Sequence, residues 1–257
     1  MIEQPYVMND RVVMITGASS GIGAAAARLF AEHGAAVVLT ARRREQLASV
    51  AEEIEAKGGR AAYVPGDIRS GEDVERVVET AVRRFGRLDA AFNNAGYGTL
   101  GTELHEMSDD DYDAVMDVNV RGVWNCMRHQ IRAMLATGGG GAIVNTASVA
   151  GLIATGVGAP YVAAKHAVIG LTKAAAASYG DRGIRVNALA VGSTLTEMME
   201  SAIAQMPGVE ETFFARAVQK RFAAPVEVAQ AALWLCSDAA SFVTGATVPV
   251  DGGTLAV

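Results

Sequence analysis

The sequence predicts an α/β protein built on a parallel, doubly wound sheet with helices on both faces. Three observations carry this. Strand-like and helix-like segments alternate along almost all of the 257 residues. The strand-like segments are continuous apolar runs, the pattern of strands covered on both faces rather than of a half-exposed sheet. The first strand passes into the first helix through a glycine-rich turn, TGASSGIG at 16–23, where doubly wound sheets hold nucleotides.

Each element has its own signal. VVMITG (12–17) is β-branched and apolar and reads as the first strand; AAAARLFAEHG (24–34) is a helix stopped by glycine. AAVVLTA (35–41) is the second strand, and REQLASVAEEIEAKGG (44–59) places apolar residues at helical spacing before its glycine stop. AAYVPGD (61–67) is the third strand. The third helix, SGEDVERVVETAVRRFG (70–86), opens on Ser70 and acidic residues suited to a helix N-terminus. LDAAFNNAG (88–96) is the fourth strand. A long helix covers 108–138; Ser108 with Asp111 resembles a capping box, which accounts for the acidic run SDDDYD without a metal. GAIVNTAS (141–148) is the fifth strand, PYVAAKHAVIGLTKAAAASYG (160–180) an Ala-rich helix, and IRVNALAVG (184–192) the sixth strand. A Met-rich helical segment runs from about 196 to 221. PVEVAQAALWLCS (225–237) is a helix and ATVPVDGG (246–253) the seventh strand. The alternation continues across the glycines at 138–141, so they form a loop, and one domain is expected over 1–257.

Composition narrows the function. Hydrophobic residues make up 51% and charged residues 19%, which supports a large core and argues against disorder. The net charge is −6 and no basic run exceeds residues 42–44, so no nucleic-acid partner is expected. No uninterrupted apolar stretch reaches the roughly 18 residues of a membrane span, and the N-terminus does not read as a signal peptide. Cys126 and Cys236 are unpatterned, which suggests free thiols in a reducing cytoplasm, and no His/Cys cluster has metal spacing.

Three stretches carry chemistry. In TGASSGIG, Gly17, Gly21 and Gly23 let the backbone turn tightly and approach a pyrophosphate at a helix N-terminus. In PYVAAK, Tyr161 and Lys165 are four apart and share a helix face. A nearby ammonium favours the phenolate and is expected to lower the tyrosine pKa, making it a usable acid or base. Ser148, thirteen positions upstream of Tyr161, ends a strand where open α/β sheets place their sites, and its hydroxyl can hold a substrate oxygen beside the phenol. A fourth stretch, NNAG at 93–96, reads either as a turn or as backbone on which something lies closely.

Together TGASSGIG, GDI (66–68), NNAG, VNV around Asn119, IVNTAS, YVAAK, IRVNALAVG and VTGATVPVDGG resemble the short-chain dehydrogenase/reductase family over nearly the whole chain. The resemblance implies a Rossmann-type domain that moves a hydride between a nicotinamide cofactor and a secondary alcohol or ketone. It implies Ser148, Tyr161, Lys165 and Asn119 as the catalytic set, with Lys165 also holding the nicotinamide ribose. It implies cofactor contacts from Gly17, Ser19, Ser20, Gly21, Ile22, Gly23, Arg42, Arg43, Asp67, Ile68, Asn94, Ala95, Gly96, Gly192 and Thr196, besides Tyr161 and Lys165. Substrate contacts are implied for Tyr97, Ala150, Ser193, Met198 and Met199 beside Ser148 and Tyr161, with a substrate lid at about 193–221 that also contains Met206. A homotetramer is implied, pairing the helices of 108–136 and those after Pro160.

The family's usual proline before Gly192 is Val191 here, which removes one constraint on the following loop. The Arg-Met pair common after NNAG in ketoreductases of fatty-acid synthesis is also missing, which weighs against a 3-oxoacyl-carrier-protein substrate. An NAD-preferring member usually carries Asp at the end of the second strand; Ala41 stands there, followed by Arg42 and Arg43. A guanidinium fork suits phosphate oxygens, so NADP(H) is favoured over NAD(H), with Arg42 the main contact. Ser20 stands where some NADP-dependent relatives carry a basic residue and adds no support. A non-catalytic nucleotide-sensing module and a sugar-nucleotide epimerase are the other classes; the complete Ser-Tyr-Lys-Asn set argues against the first, and the short C-terminal region against the second.

Overall fold

A computed structural model describes residues 6–98, 102–138, 140–154, 156–205 and 208–257. Seven parallel strands form one sheet: β1 Val12–Thr16, β2 Ala36–Thr40, β3 Arg60–Tyr63, β4 Ala90–Asn93, β5 Gly141–Thr146, β6 Ile184–Val191 and β7 Thr247–Val250. Their spatial order is β3-β2-β1-β4-β5-β6-β7. The order reverses between β1 and β4, whose in-register pairs include Ile15 with Phe92. A crevice therefore opens beyond the C-terminal ends of these two strands, where ligands bind in open α/β sheets.

Alternation along each strand distributes the core to both faces. Val13 and Ile15 of β1 pack with α1 (Gly21–Glu32), α2 (Arg44–Ala56) and α9 (Pro225–Cys236). Val12 and Met14 pack on the other face, with α3 (Gly71–Phe85), α5 (Gly122–Thr137) and α6 (Ala159–Tyr179). This explains the continuous apolar runs, since neither face has solvent to meet. In α3, Ser70 Oγ accepts from the Asp73 N–H at 3.2 Å, Arg83 and Arg84 sit in the last turn, and Gly86 ends the helix at φ 84°.

The long helix over 108–138 is one rod with a defect. α4 (Asp109–Met116) runs through a wider π-type turn at Asp117–Arg121 into α5. Such turns mark functional sites, and Asn119 lies in this one. Four boundaries differ from the sequence reading. α1 begins at Gly21, because the glycines of the turn supply its first helical residues. β3 stops at Tyr63, two residues before Pro65, which has no N–H for a ladder. β4 ends at Asn93. The helical segment expected over 196–221 is two short helices, α7 (Glu197–Gln205) and α8 (Val209–Phe214), with Met206 and Pro207 between them outside the described residues. From Ala215 to the start of α9 the chain is not helical: the Gln219 N–H donates to the Gly252 carbonyl at 2.9 Å, and Arg221 forks onto Glu227 at 2.7 and 2.8 Å, drawing it toward the C-terminal strand and α9. Among the described residues no helix is long and apolar enough to cross a membrane.

Candidate active site

The β1–α1 turn is packed against the end of β4 so tightly that glycine is required. Gly17 has φ +66°, and a Cβ there would stand 2.9 Å from the Ala95 Cα; a Cβ on Gly23 would overlap the Gly17 carbonyl. Thr16 Oγ1 accepts from the N–H groups of Asn94 and Ala95, both at 3.0 Å, and Asn94 Nδ2 donates to the Thr16 carbonyl at 3.3 Å. NNAG is thus a brace between two strand ends, and Asn94 closes it. Ser20 precedes α1 but does not cap it, and the first turn carries no acidic side chain. Among the described residues no side chain caps the leading N–H groups of α1, the arrangement that suits a pyrophosphate.

At the end of β2 the two arginines differ. Arg43 Nη2 donates to Ser20 Oγ at 2.7 Å and Ser19 Oγ at 3.3 Å, and lies 2.8 Å from Glu197 Oε2. Arg42 is exposed and makes no ion pair or hydrogen bond among the described residues. Burial pushes the Asp67 carboxyl up, but bonds from Arg69 (2.9 and 2.7 Å from its guanidinium) and the charges of Arg69 and Arg42 outweigh it and hold Asp67 below its usual range.

The second half of the site lies beyond β5. Ser148 is extended, and its Oγ accepts from the Ala150 N–H at 3.2 Å. Tyr161 stands in the first turn of α6, just after Pro160, and Lys165 follows one turn later. Lys165 is 3% exposed. Its Nζ donates to the Thr146 carbonyl at 2.9 Å and lies 5.3 Å from the centre of the Tyr161 ring. Burial lowers its pKa to about 8. Burial raises the Tyr161 phenol above its usual range, opposed by a hydrogen bond with Ser148. Burial, opposed by Ser148, thus sets the direction of the phenol, where the spacing to Lys165 predicts a lowering.

Asn119 is fully buried and holds the loop after β4 from both sides. Its Nδ2 donates to the carbonyls of Tyr97 (2.6 Å) and Val115 (2.9 Å), and its Oδ1 accepts from the Tyr97 N–H at 3.3 Å. Gly96 lies between this amide and the lysine: a Cβ there would be 3.2 Å from Asn119 Oδ1 and 3.6 Å from Lys165 Nζ. Gly98, two residues on, makes similar room, with its missing Cβ 3.5 Å from Tyr161 Cε2 and 3.7 Å from Met198 Sδ.

The structure brings Ser148, Tyr161, Lys165 and Asn119 to one place, and Met198 to its edge. Tyr97 and Met198 are exposed beside it, and Met199 follows on the same helix with its N–H 3.3 Å from Thr196 Oγ1. Thr196 packs its methyl 3.2 Å from where a Gly21 Cβ would be, so the start of α7 rests on the glycine turn. Ser193 joins the segment at 223 through its carbonyl, which accepts from the Ala223 N–H at 3.0 Å. Gly192 donates its N–H to the Val250 carbonyl at 2.9 Å. These bonds restrain the loop that lacks the proline at 191. Ile68 packs its side chain under Gly122. Ala150 is 2% exposed and donates its N–H to Ser148 Oγ.

Sequence reasoning missed three features. Gly98 is one; the Arg43–Glu197 pair is another. The third is a buried polar network: Asn93 Nδ2 donates to Asn145 (2.9 Å) and Gln130 (3.0 Å), and Asn145 Nδ2 to Thr172 (3.0 Å). It ties β4 and β5 to α5 and α6 directly behind Thr146. The signal was available, since an Asn inside each of two otherwise apolar strands needs buried partners.

Comparison with known proteins agrees with this geometry. Residues 17–254 match a family model described as enoyl-(acyl carrier protein) reductase. The chain is 57% identical over 253 residues to an A-factor type gamma-butyrolactone 1′-reductase (1S-forming) of Streptomyces virginiae, covering 98% of each chain. It is 44% identical to a cyclohexanol dehydrogenase of an Acinetobacter species, covering 95% of this chain and 94% of the other. The crystal structure of levodione reductase superposes with a TM-score of 0.92 at 35% identity, covering 97% of this chain and 99% of that one.

Proposed function

Because the chain belongs to the short-chain dehydrogenase/reductase family, we propose that it reduces the 1′ ketone of a γ-butyrolactone to the secondary alcohol, with NADPH as cofactor. The reaction class is that of its relatives: an oxidoreductase acting between a nicotinamide cofactor and an alcohol or ketone. The observation that carries the site assignment is the convergence of Ser148, Tyr161 and Lys165 beyond β5, next to Met198.

The residues fit the cofactor. Gly17 and Gly23 keep the turn open to close approach, the start of α1 offers N–H donors, and Lys165 stands beside Gly96. The nicotinamide, when bound, supplies the hydride. In ketone reduction Tyr161 gives its phenolic proton to the carbonyl oxygen as the hydride reaches the carbon, and Ser148 donates a hydrogen bond to that oxygen. A raised phenol pKa suits this direction, because the donor stays protonated at neutral pH. Asn119 keeps the 96–97 backbone in place. Arg42, at the end of β2 with no ion pair among the described residues, supports NADP(H) over NAD(H). The segment 193–221 serves as the lid, with Met198 as an apolar wall that adapts to a ring or acyl chain.

Near-full-length similarity to the Streptomyces virginiae reductase supports the lactone substrate. The absence of the Arg-Met pair after NNAG speaks against a carrier-protein thioester. The test is turnover of a synthetic 2-acyl-γ-butyrolactone with NADPH, with the product's configuration read by chiral chromatography. Conversion to a single 1′ alcohol is expected. Turnover of simple cyclic ketones without turnover of the lactone would reject the substrate and keep the reaction class.

A further inference from the structure

We propose that Glu197 discriminates between cofactors: its carboxylate occupies the Arg43 guanidinium, and a 2′-phosphate on the adenine-side ribose must compete with it for that group. The inference deepens the NADP(H) reading and rests on it.

Three acceptors converge on one nitrogen. Arg43 Nη2 reaches Ser20 Oγ at 2.7 Å, Ser19 Oγ at 3.3 Å and Glu197 Oε2 at 2.8 Å. The two serines belong to the glycine-rich turn, and Glu197 is the first residue of α7. The guanidinium is therefore anchored on the turn by one corner, with its other nitrogens making no hydrogen bond among the described residues. An arginine at the end of β2 is placed to meet the 2′ substituent of a ribose bound over that turn. Among the described residues Arg42 beside it has no anionic partner at this distance; Arg43 has one.

The pair is built to exchange. Its side chains are 44% and 58% exposed, and exposed ion pairs contribute little. A phosphate presents a guanidinium with two oxygens and a larger charge, a stronger partner than one carboxylate oxygen. When a 2′-phosphate takes Arg43, Glu197 is left beside a like charge. A cofactor with a free 2′-hydroxyl leaves the pair intact. Glu197 thus penalises the phosphorylated cofactor specifically. It also links that penalty to the lid, because the start of α7 rests on the turn through this pair and the Thr196–Gly21 contact.

Calorimetric titration of 2′,5′-ADP and 5′-AMP tests this without turnover, in wild type, Glu197→Gln, Arg43→Gln and the double variant. Glu197→Gln is expected to bind 2′,5′-ADP roughly two- to fivefold more tightly, with 5′-AMP unchanged. In the Arg43→Gln background most of that gain disappears. Unchanged or weaker 2′,5′-ADP binding by Glu197→Gln overturns the proposal, as does a gain of full size without Arg43. The NADP(H) reading fails separately: a wild type that binds both probes equally rejects that preference, while a 2′-phosphate gain on removing Glu197 still supports the competition.

Discussion

Lys165 donates to the Thr146 carbonyl at 2.9 Å while its ammonium stands 5.3 Å from the centre of the Tyr161 ring. The helix that puts the two residues on one face also buries the lysine almost completely. Burial lowers its pKa to about 8. A depressed lysine pKa means that the charge is present below that value and lost as pH rises through it. Burial raises the Tyr161 phenol, so the proton donor persists over the same interval. The kcat/KM for ketone reduction should therefore be level near neutrality and fall through about pH 8. A rate profile that stays level well above that pH would remove the lysine charge from the mechanism.

Tyr161→Phe keeps the ring beside Gly98 and Met198 and deletes the proton donor. Turnover should drop by roughly 10²–10⁴, with melting temperature and nucleotide binding close to wild type. Near-normal turnover, with a hydride isotope effect confirming that chemistry limits the rate, would reassign the acid.

Gly23→Ala tests the cradle. The new methyl would overlap the Gly17 carbonyl and stand 2.8 Å from Asn94 Nδ2, so either the turn or the brace must move. Overpacking of this kind costs roughly 1–3 kcal/mol. The loss should appear both as a lower melting temperature and as weaker nucleotide binding. A variant that binds nucleotide as well as wild type would show that the close approach is incidental.

That the proposed catalytic residues lie together was legible because most of their geometry is local. Tyr161 and Lys165 meet through helix periodicity alone, and Ser148 is placed by the end of a strand. The strands were legible because two-sided burial writes itself as unbroken apolar runs. What escaped depends on chain segments far apart in sequence. Arg43 and Glu197 lie on different elements and meet only when α7 folds back on the turn. Gly98 looks like an ordinary loop glycine until Tyr161 and Met198 close on it. The direction of the Tyr161 shift depends on how much water the fold removes, which no spacing records. The end of helix after Phe214 goes with contacts of Gln219 to Gly252 and of Arg221 to Glu227, which the segment's own helical composition does not record.

Association in solution is expected. The rod formed by α4 and α5 leaves Tyr112 (48% exposed), Trp124 (46%) and Leu135 (38%) at the surface. Large apolar side chains gathered on one rod suit a subunit contact. Light scattering at micromolar concentration should return a mass several times that of the 26.7 kDa chain, and Trp124→Glu should lower it. A wild type that runs as a monomer would reject the assembly.

Cofactor preference turns on the end of β2. Ala41 offers no carboxylate to repel a 2′-phosphate, and Arg42 is exposed without an ion pair among the described residues. Arg43 is engaged with Ser20 and Glu197, so Arg42 is the guanidinium available without a competing partner among those residues. Its charge already acts on Asp67, across the site where the adenine end would lie. An arginine–phosphate contact of this exposure is worth about 1–2 kcal/mol. Arg42→Ala should therefore lower kcat/KM for NADPH by roughly five- to thirtyfold and leave the NADH value nearly unchanged. Arg43→Ala should cost less for NADPH, since its guanidinium must first leave Glu197. A wild type that prefers NADH, or an Arg42→Ala variant with an unaltered NADPH value, would move the assignment away from this residue.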